Sequence, residues 1–231
     1  MVPEQTITQA SSEVTGKGQE PHGSRLRQAV TILVLIIFQL PLAGYLAPGE
    51  GLGAQAGREG IFWALTFFLL AYVRVAERRP LSSIGLKQPT SRSVGFGLAG
   101  ALALITGFAF IYMIIFPALG LPVNESQMAA VKSMPLWFRF LLVVRAAVFE
   151  EIYYRGFAIE RLTELTGLRW LASLISLAAF TFAHLAYWGW AHLIVAAFGG
   201  AVLTVLYLYR RDLACNMVAH LITDGVGFLL G

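Results

Sequence analysis

The sequence predicts an all-α fold, a polytopic bundle of about seven transmembrane helices, and three observations carry that expectation. Of its 231 residues, 57% are hydrophobic and 13% charged, where a soluble domain averages about 25% charged. The apolar residues fall in runs of roughly 17 to 25, the length a helix needs to cross hydrocarbon about 30 Å thick. Lys and Arg gather in every second loop between the runs, as cytoplasmic loops do.

The net charge of +4 would raise nucleic-acid binding in a soluble protein. Here the basic residues sit between apolar runs, so the expected partner is the lipid bilayer, with no nucleic acid. A single cysteine, Cys215, excludes an internal disulfide and any multi-cysteine metal site.

Residues 1–27 are polar and read as a disordered cytoplasmic tail. The transmembrane domain follows at 28–231. Its first run, 28–47, reads as a helix in preference to a signal peptide, being close to full spanning length. The others are 61–75, 93–119, 136–157, 168–186, 190–209 and 213–230. Gly95, Gly97 and Gly100 in the third suit close helix packing.

Charge placement orients the bundle. Lys17, Arg25 and Arg27, then Arg74 to Arg92, then Arg161 and Arg169, then Arg210 and Arg211 all fall on one side. The opposite loops hold Arg58 offset by Glu50 and Glu59, Lys132 offset by Glu125, and an uncharged 187–189. The expectation is a multi-pass cell-membrane protein with a cytoplasmic N-terminus.

Ionisable residues inside apolar helices are costly and are functional candidates by default. They are Glu150 with Glu151, His184, and His220 with Asp224. Glu151 and Arg155 are four apart and pair in the favoured order. Glu150, about 100° round the helix, is left without that partner and has the environment of a general base. The bland alternative makes both acids structural, with Arg145 the second cation. A lone His184 reads as a satisfied core or interfacial residue. His220 and Asp224, four apart on one face, can share a proton or address one ligand. His192 reads as interfacial and His22 as part of the tail.

Other protease chemistries find no support. Asp212 sits at an edge beside Arg211, leaving Asp224 without the second membrane aspartate of an aspartyl protease. The usual Gly-x-Ser-x-Gly and His-Glu-x-x-His motifs are missing. Cys215 and His220 are five apart and poorly aligned for a thiol enzyme.

Glu150-Glu151-x-x-x-Arg155, Phe180-x-x-x-His184 and His220-x-x-x-Asp224, in that order and each in an apolar segment, resemble the three motifs of the CPBP family. These are the CAAX proteases and bacteriocin-processing enzymes, also called the Abi family. The resemblance covers about 136–231. It implies a helical-bundle endopeptidase that hydrolyses membrane-associated peptides or proteins. It implies Glu150 as the base that activates water, His184 as the group that positions it, and His220 with Asp224 as the oxyanion site. Glu151, Arg155 and Phe180 would support the site.

The third motif commonly ends in Asn, whose amide donates, whereas an ionised Asp224 only accepts. Depth is a second difficulty. Counted at about 1.5 Å per residue from the cytoplasmic side, Glu150 and His220 lie roughly 10 to 12 Å in and His184 above 20 Å, so convergence requires 168–171 to lie along the interface. No cofactor is expected. The zinc alternative uses Glu150, His184 and His220, the ligand types of a His2Glu site. The rival functions are a non-catalytic immunity or scaffold factor and a transporter.

Overall fold

The computed structural model describes residues 22–49 and 51–230, so the tail expected at 1–27 lies outside the described residues as far as 21, as does Glu50. Among the described residues, besides a 3-10 turn at Leu81–Ile84, nine helices follow in order: α1 His22–Ile37, α2 Leu42–Leu46, α3 Leu52–Ala76, α4 Ser91–Leu119, α5 Glu125–Lys132, α6 at 136–166, α7 Arg169–Trp188, α8 Leu193–Arg210 and α9 Leu213–Leu230. Among the described residues there is no strand.

Five helices, α3, α4, α7, α8 and α9, are long and apolar enough to cross a membrane. α6 carries the ionisable residues that keep it out of that class, yet at about 1.5 Å per residue it is about 45 Å long. With α6 these make six helices of spanning length among the described residues, with the shorter α1 beside them, roughly the seven expected, and the chain is a multi-pass helical membrane protein.

The first run differs from a plain span. Proline lacks an N–H and pushes its predecessor out of the helical region, so α1 ends at Ile37 and Pro41 restarts the chain into α2. What fixes α1 is docking onto α6. The Tyr153 hydroxyl donates to the Leu35 carbonyl at 2.8 Å, and the Phe38 ring stacks on Tyr153 at 4.9 Å. α3 also differs, beginning at Leu52 well before 61. Arg58 and Glu59 therefore lie inside a helix, and Glu59 is buried, where loop charges were expected.

Helix ends follow local chemistry. Thr90 and Ser93 form a reciprocal capping box for α4. Asn124 caps α5 by accepting from the Gln127 N–H. Asp212 caps α9 through the Ala214 N–H at 3.0 Å and accepts from the Ser93 hydroxyl of α4 at 2.6 Å. Gly167, at φ +71°, supplies the left-handed turn that ends α6 and starts the α6–α7 hairpin.

Where α3, α6 and α8 end, ion pairs clamp the bundle. Arg161 holds Glu77 at 2.5 Å with both side chains almost fully buried. Glu160 takes Arg211, Arg169 at 3.6 Å and the Tyr207 hydroxyl at 3.0 Å.

α4 and α9 pack most closely of all. A Cβ on Gly97 would meet the Val218 Cβ at 2.6 Å and the Cys215 carbonyl at 2.9 Å, and one on Gly100 the Ala219 Cβ at 3.1 Å. Gly95, the third member of the expected stripe, faces open space. Gly97→Leu should therefore lower the melting temperature in detergent, with overpacking costing about 1–3 kcal/mol or more, while Gly95→Leu leaves it unchanged. Equal effects of the two substitutions would refute the close α4–α9 approach.

Candidate active site

The site is organised by a change of helix type. α6 is α-helical through Leu136–Glu150 and π-helical through Glu151–Ala158, a geometry that recurs at functional sites. The junction falls between the two adjacent acids and sends them to different environments. The wider turn also frees backbone for partners outside the helix, and the Tyr154 carbonyl accepts from the Ser176 hydroxyl of α7 at 2.7 Å.

Glu151 is fully buried. Its Oε1 accepts from Arg155 at 2.8 Å, the pair expected from the spacing, and from His220 Nδ1 at 2.9 Å. Its Oε2 accepts from the Asn216 amide at 3.0 Å. Arg155 lies over the Phe180 ring at 4.1 Å, so Phe180 supports the site by carrying a cation.

Glu150 faces the cavity. Contrary to expectation it is not without a partner: Arg145 Nη1 stands 3.4 Å from its Oε1 and His220 Nε2 is 4.0 Å from its Oε2. Arg145, five residues earlier on α6, is long enough to reach back. Its main commitment is elsewhere, however, since Nε and Nη2 both donate to the Glu59 carboxylate of α3, at 3.0 and 3.1 Å, over the Phe62 ring.

His220 is held at both ring nitrogens. Nδ1 meets Glu151, and Nε2 lies 3.4 Å from Asp224 Oδ2. Carboxylates facing both nitrogens are satisfied when both carry hydrogen. Asp224 thus stands beside His220 on the side opposite Glu151.

His184 enters from the end of the regular part of α7. Its Nδ1 lies 2.8 Å from the Phe180 carbonyl. A carbonyl only accepts, so Nδ1 bears the hydrogen and Nε2 is left as an acceptor.

The depth difficulty disappears because α6 continues to Thr166, past the end expected at 157. From that turn Glu150 lies about 24 Å along α6 and His184 about 22 Å along α7. His220 reaches the same level. Arg211, which precedes α9, binds Glu160 about 9 Å along α6, and His220 lies about 13 Å further. The stack of Arg155 on Phe180 fixes the register, with Glu151 and His184 each one turn beyond it. Residues 169–183 form one regular helix, so the interfacial segment expected at 168–171 is not needed.

The side chains line a cavity of about 390 Å³ that includes Glu150, His184, His220 and Asp224. A second hollow of about 650 Å³ adjoins it, sharing Gln55, Arg58, Met134 and Tyr187, and its wall reaches the loop residues Gly49 and Pro135. Among the described residues, no three His, Cys, Asp or Glu side chains are grouped as metal ligands. Of the residues in the zinc alternative, Glu150 Oε2 and His220 Nε2 stand 4.0 Å apart and His184 lines the same cavity.

Several participants escaped the sequence reading. Asn216 stands four residues before His220, so the same spacing that marks Asp224 also marks it. Glu59 is an acid that α3 absorbs. His192, read as interfacial, is part of the cavity wall, as is Tyr112, for which no sequence signal exists.

Residues 132–226 match the family described as type II CAAX prenyl endopeptidase Rce1-like. No curated protein and no solved structure matches the chain. The matched segment is less than half of the chain but contains all three motifs. The match thus falls on the segment that carries the three motifs, and the family it names is of the kind those motifs resemble.

Proposed function

We propose that the chain is an intramembrane hydrolase of the CAAX prenyl endopeptidase type, cutting membrane-associated peptides or proteins with a water activated by Glu150. The observation that supports this best is the contrast between the adjacent acids. Glu151 is consumed by Arg155, His220 and Asn216, whereas Glu150 presents a carboxylate to the cavity with only longer contacts.

A water between Glu150 and His184 donates one hydrogen to the carboxylate and the other to Nε2 of His184. As its oxygen attacks the scissile carbonyl carbon, the proton passes to Glu150 and the carbonyl π pair moves to oxygen. Collapse breaks the C–N bond while Glu150 returns the proton to the leaving nitrogen. The products are a new carboxyl terminus and an amine. No cofactor takes part, and the groups Glu59, Arg145 and His220 fix the position of the base. A scaffold factor would have no use for three carboxylates lining one cavity within the membrane.

Glu150→Gln should lower hydrolysis about 10²–10⁴-fold and His184→Ala by about 10²-fold. The assay uses the protein in liposomes with two internally quenched peptides, one farnesylated at a CAAX cysteine and one not. Melting temperatures should stay near wild type. Undiminished cleavage by both variants at normal protein levels would sink the peptidase reading, and the two peptides report whether the prenyl group is required.

Arg155→Met should destabilise by about 3–5 kcal/mol, since it strands a buried carboxylate. Adding Glu151→Gln to it should recover part of the loss, measured as melting temperature. A double variant less stable than the single would show that the pair is not the support described.

The alternation of basic loops supports a cytoplasmic N-terminus, and in that orientation the hollow beside the cavity opens on the outer face. A cysteine at exposed Ser126 should react with an impermeant maleimide from outside intact cells and one at exposed Lys87 should not; buried Cys215 gives no background. The reverse pattern would invert the orientation.

A further inference from the structure

We infer that His192 is a catalytic residue, donating an Nε2 hydrogen bond to the oxyanion of the tetrahedral intermediate in place of the donor that Asp224 does not provide. This rests on the peptidase reading above.

The need for such a donor is set by the site itself. An oxyanion requires an N–H or O–H aimed at it. Asp224 accepts from His220, both hydrogens of His220 are directed at carboxylates, and the Nδ1 hydrogen of His184 is given to the Phe180 carbonyl. The Asn216 amide is spent on Glu151 and the Leu203 carbonyl. Arg145 gives two nitrogens to Glu59 and turns the third toward Glu150.

His192 is differently placed. It precedes α8, lines the same cavity, and its ring lies nearly parallel to those of Trp188 and His184, at centroid distances of 5.1 and 6.2 Å. The neighbouring rings face it, so its polar edges are what remain for hydrogen bonding. Nδ1 meets the Tyr112 hydroxyl at 3.3 Å. A phenol is the better donor and a neutral imidazole nitrogen the better acceptor, so Tyr112 donates and the ring hydrogen resides on Nε2. Among the described residues no other hydrogen bond to this ring is formed. Burial, with His184 beside it, holds the imidazole down at about 4 despite Asp224, which keeps it neutral at neutral pH with one fixed hydrogen.

The two facing imidazoles thus have opposite polarity, His184 accepting from the water and His192 donating to the oxygen that becomes negative. No bond to His192 forms or breaks.

The tautomer can be read without substrate by ¹⁵N NMR of histidine-labelled full-length protein in micelles, with the His192 signal assigned by its loss in His192→Phe. The result expected is a protonated Nε2 and bare Nδ1 at neutral pH, with that preference weakened in Tyr112→Phe. The opposite tautomer, or an imidazolium, would overturn the proposal. In the liposome assay His192→Phe should lower kcat about 10²–10³-fold, the usual loss of one oxyanion donor, with KM changed by less than about twofold. His192→Gln, which retains an N–H, should lie within about tenfold of wild type. Wild-type kcat in His192→Phe while Glu150→Gln is inactive overturns this inference alone. Equal loss in the Phe and Gln variants does the same. No cleavage by the wild type overturns the peptidase reading and the donor role together.

Discussion

The buried pair of Glu151 and Arg155 is the interaction on which the rest of the site depends. Two opposite charges removed from water are expensive, and attraction between them repays the cost only when the remaining donors and acceptors are also satisfied. Here that requirement recruits three helices to α6. α9 supplies Asn216 and His220 to the carboxylate, α7 supplies the Phe180 face to the guanidinium, and α8 supplies the Gly200 carbonyl, 3.4 Å from Arg155. Gly200 can come that close because it has no Cβ, which would meet Leu177 at 2.6 Å and Phe180 at 2.9 Å. The register of all three motifs follows from one pair.

The same pair explains why two adjacent acids differ. In a regular helix Glu150 and Glu151 would diverge by about 100°, and the π-helical start at Glu151 lets that residue turn into the bundle with its neighbour left at the cavity. The separation of roles is therefore a backbone property. It does not rest on different side-chain chemistry.

Much of this was legible because membrane sequence is constrained. Run length gave the later helices, and the four-residue spacing of Glu151 with Arg155 and of His220 with Asp224 gave one-face pairs. The failures have physical causes. Pro41 stops α1 inside a run whose composition alone reads as continuous, and Leu52 starts α3 inside a stretch that reads as loop because it carries Arg58 and Glu59 ahead of the apolar run. The end of α6 was misplaced because its last two turns, with Glu160, Arg161 and Glu164, are polar. They are helical because those charges find partners on other elements, which a linear reading does not show. That error produced the apparent mismatch for Glu150, and placing the start of α9 at the edge of the bundle and not about 9 Å inside it produced the mismatch for His220. Tyr112 and His192 meet across 80 positions in sequence, and only the packing of α4 against the start of α8 reveals them.

An intramembrane hydrolase must keep charges fixed in a medium that disfavours them. Each guanidinium in this site has a carboxylate at its edge and an aromatic face beneath it, Arg145 on Phe62 at 4.5 Å and Arg155 on Phe180 at 4.1 Å, so that aromatic quadrupoles replace part of the lost hydration. The carboxylates are Glu59, Glu150, Glu151 and Asp224, against Arg145, Arg155 and His220 donating from both nitrogens. One negative charge is left over. It rests on the acid with the longest contacts, Glu150, whose guanidinium is shared with Glu59 and whose imidazole is shared with Glu151 and Asp224. The charge imbalance that the bundle tolerates is thus placed at the carboxylate that faces the cavity, as the proposed role of Glu150 requires.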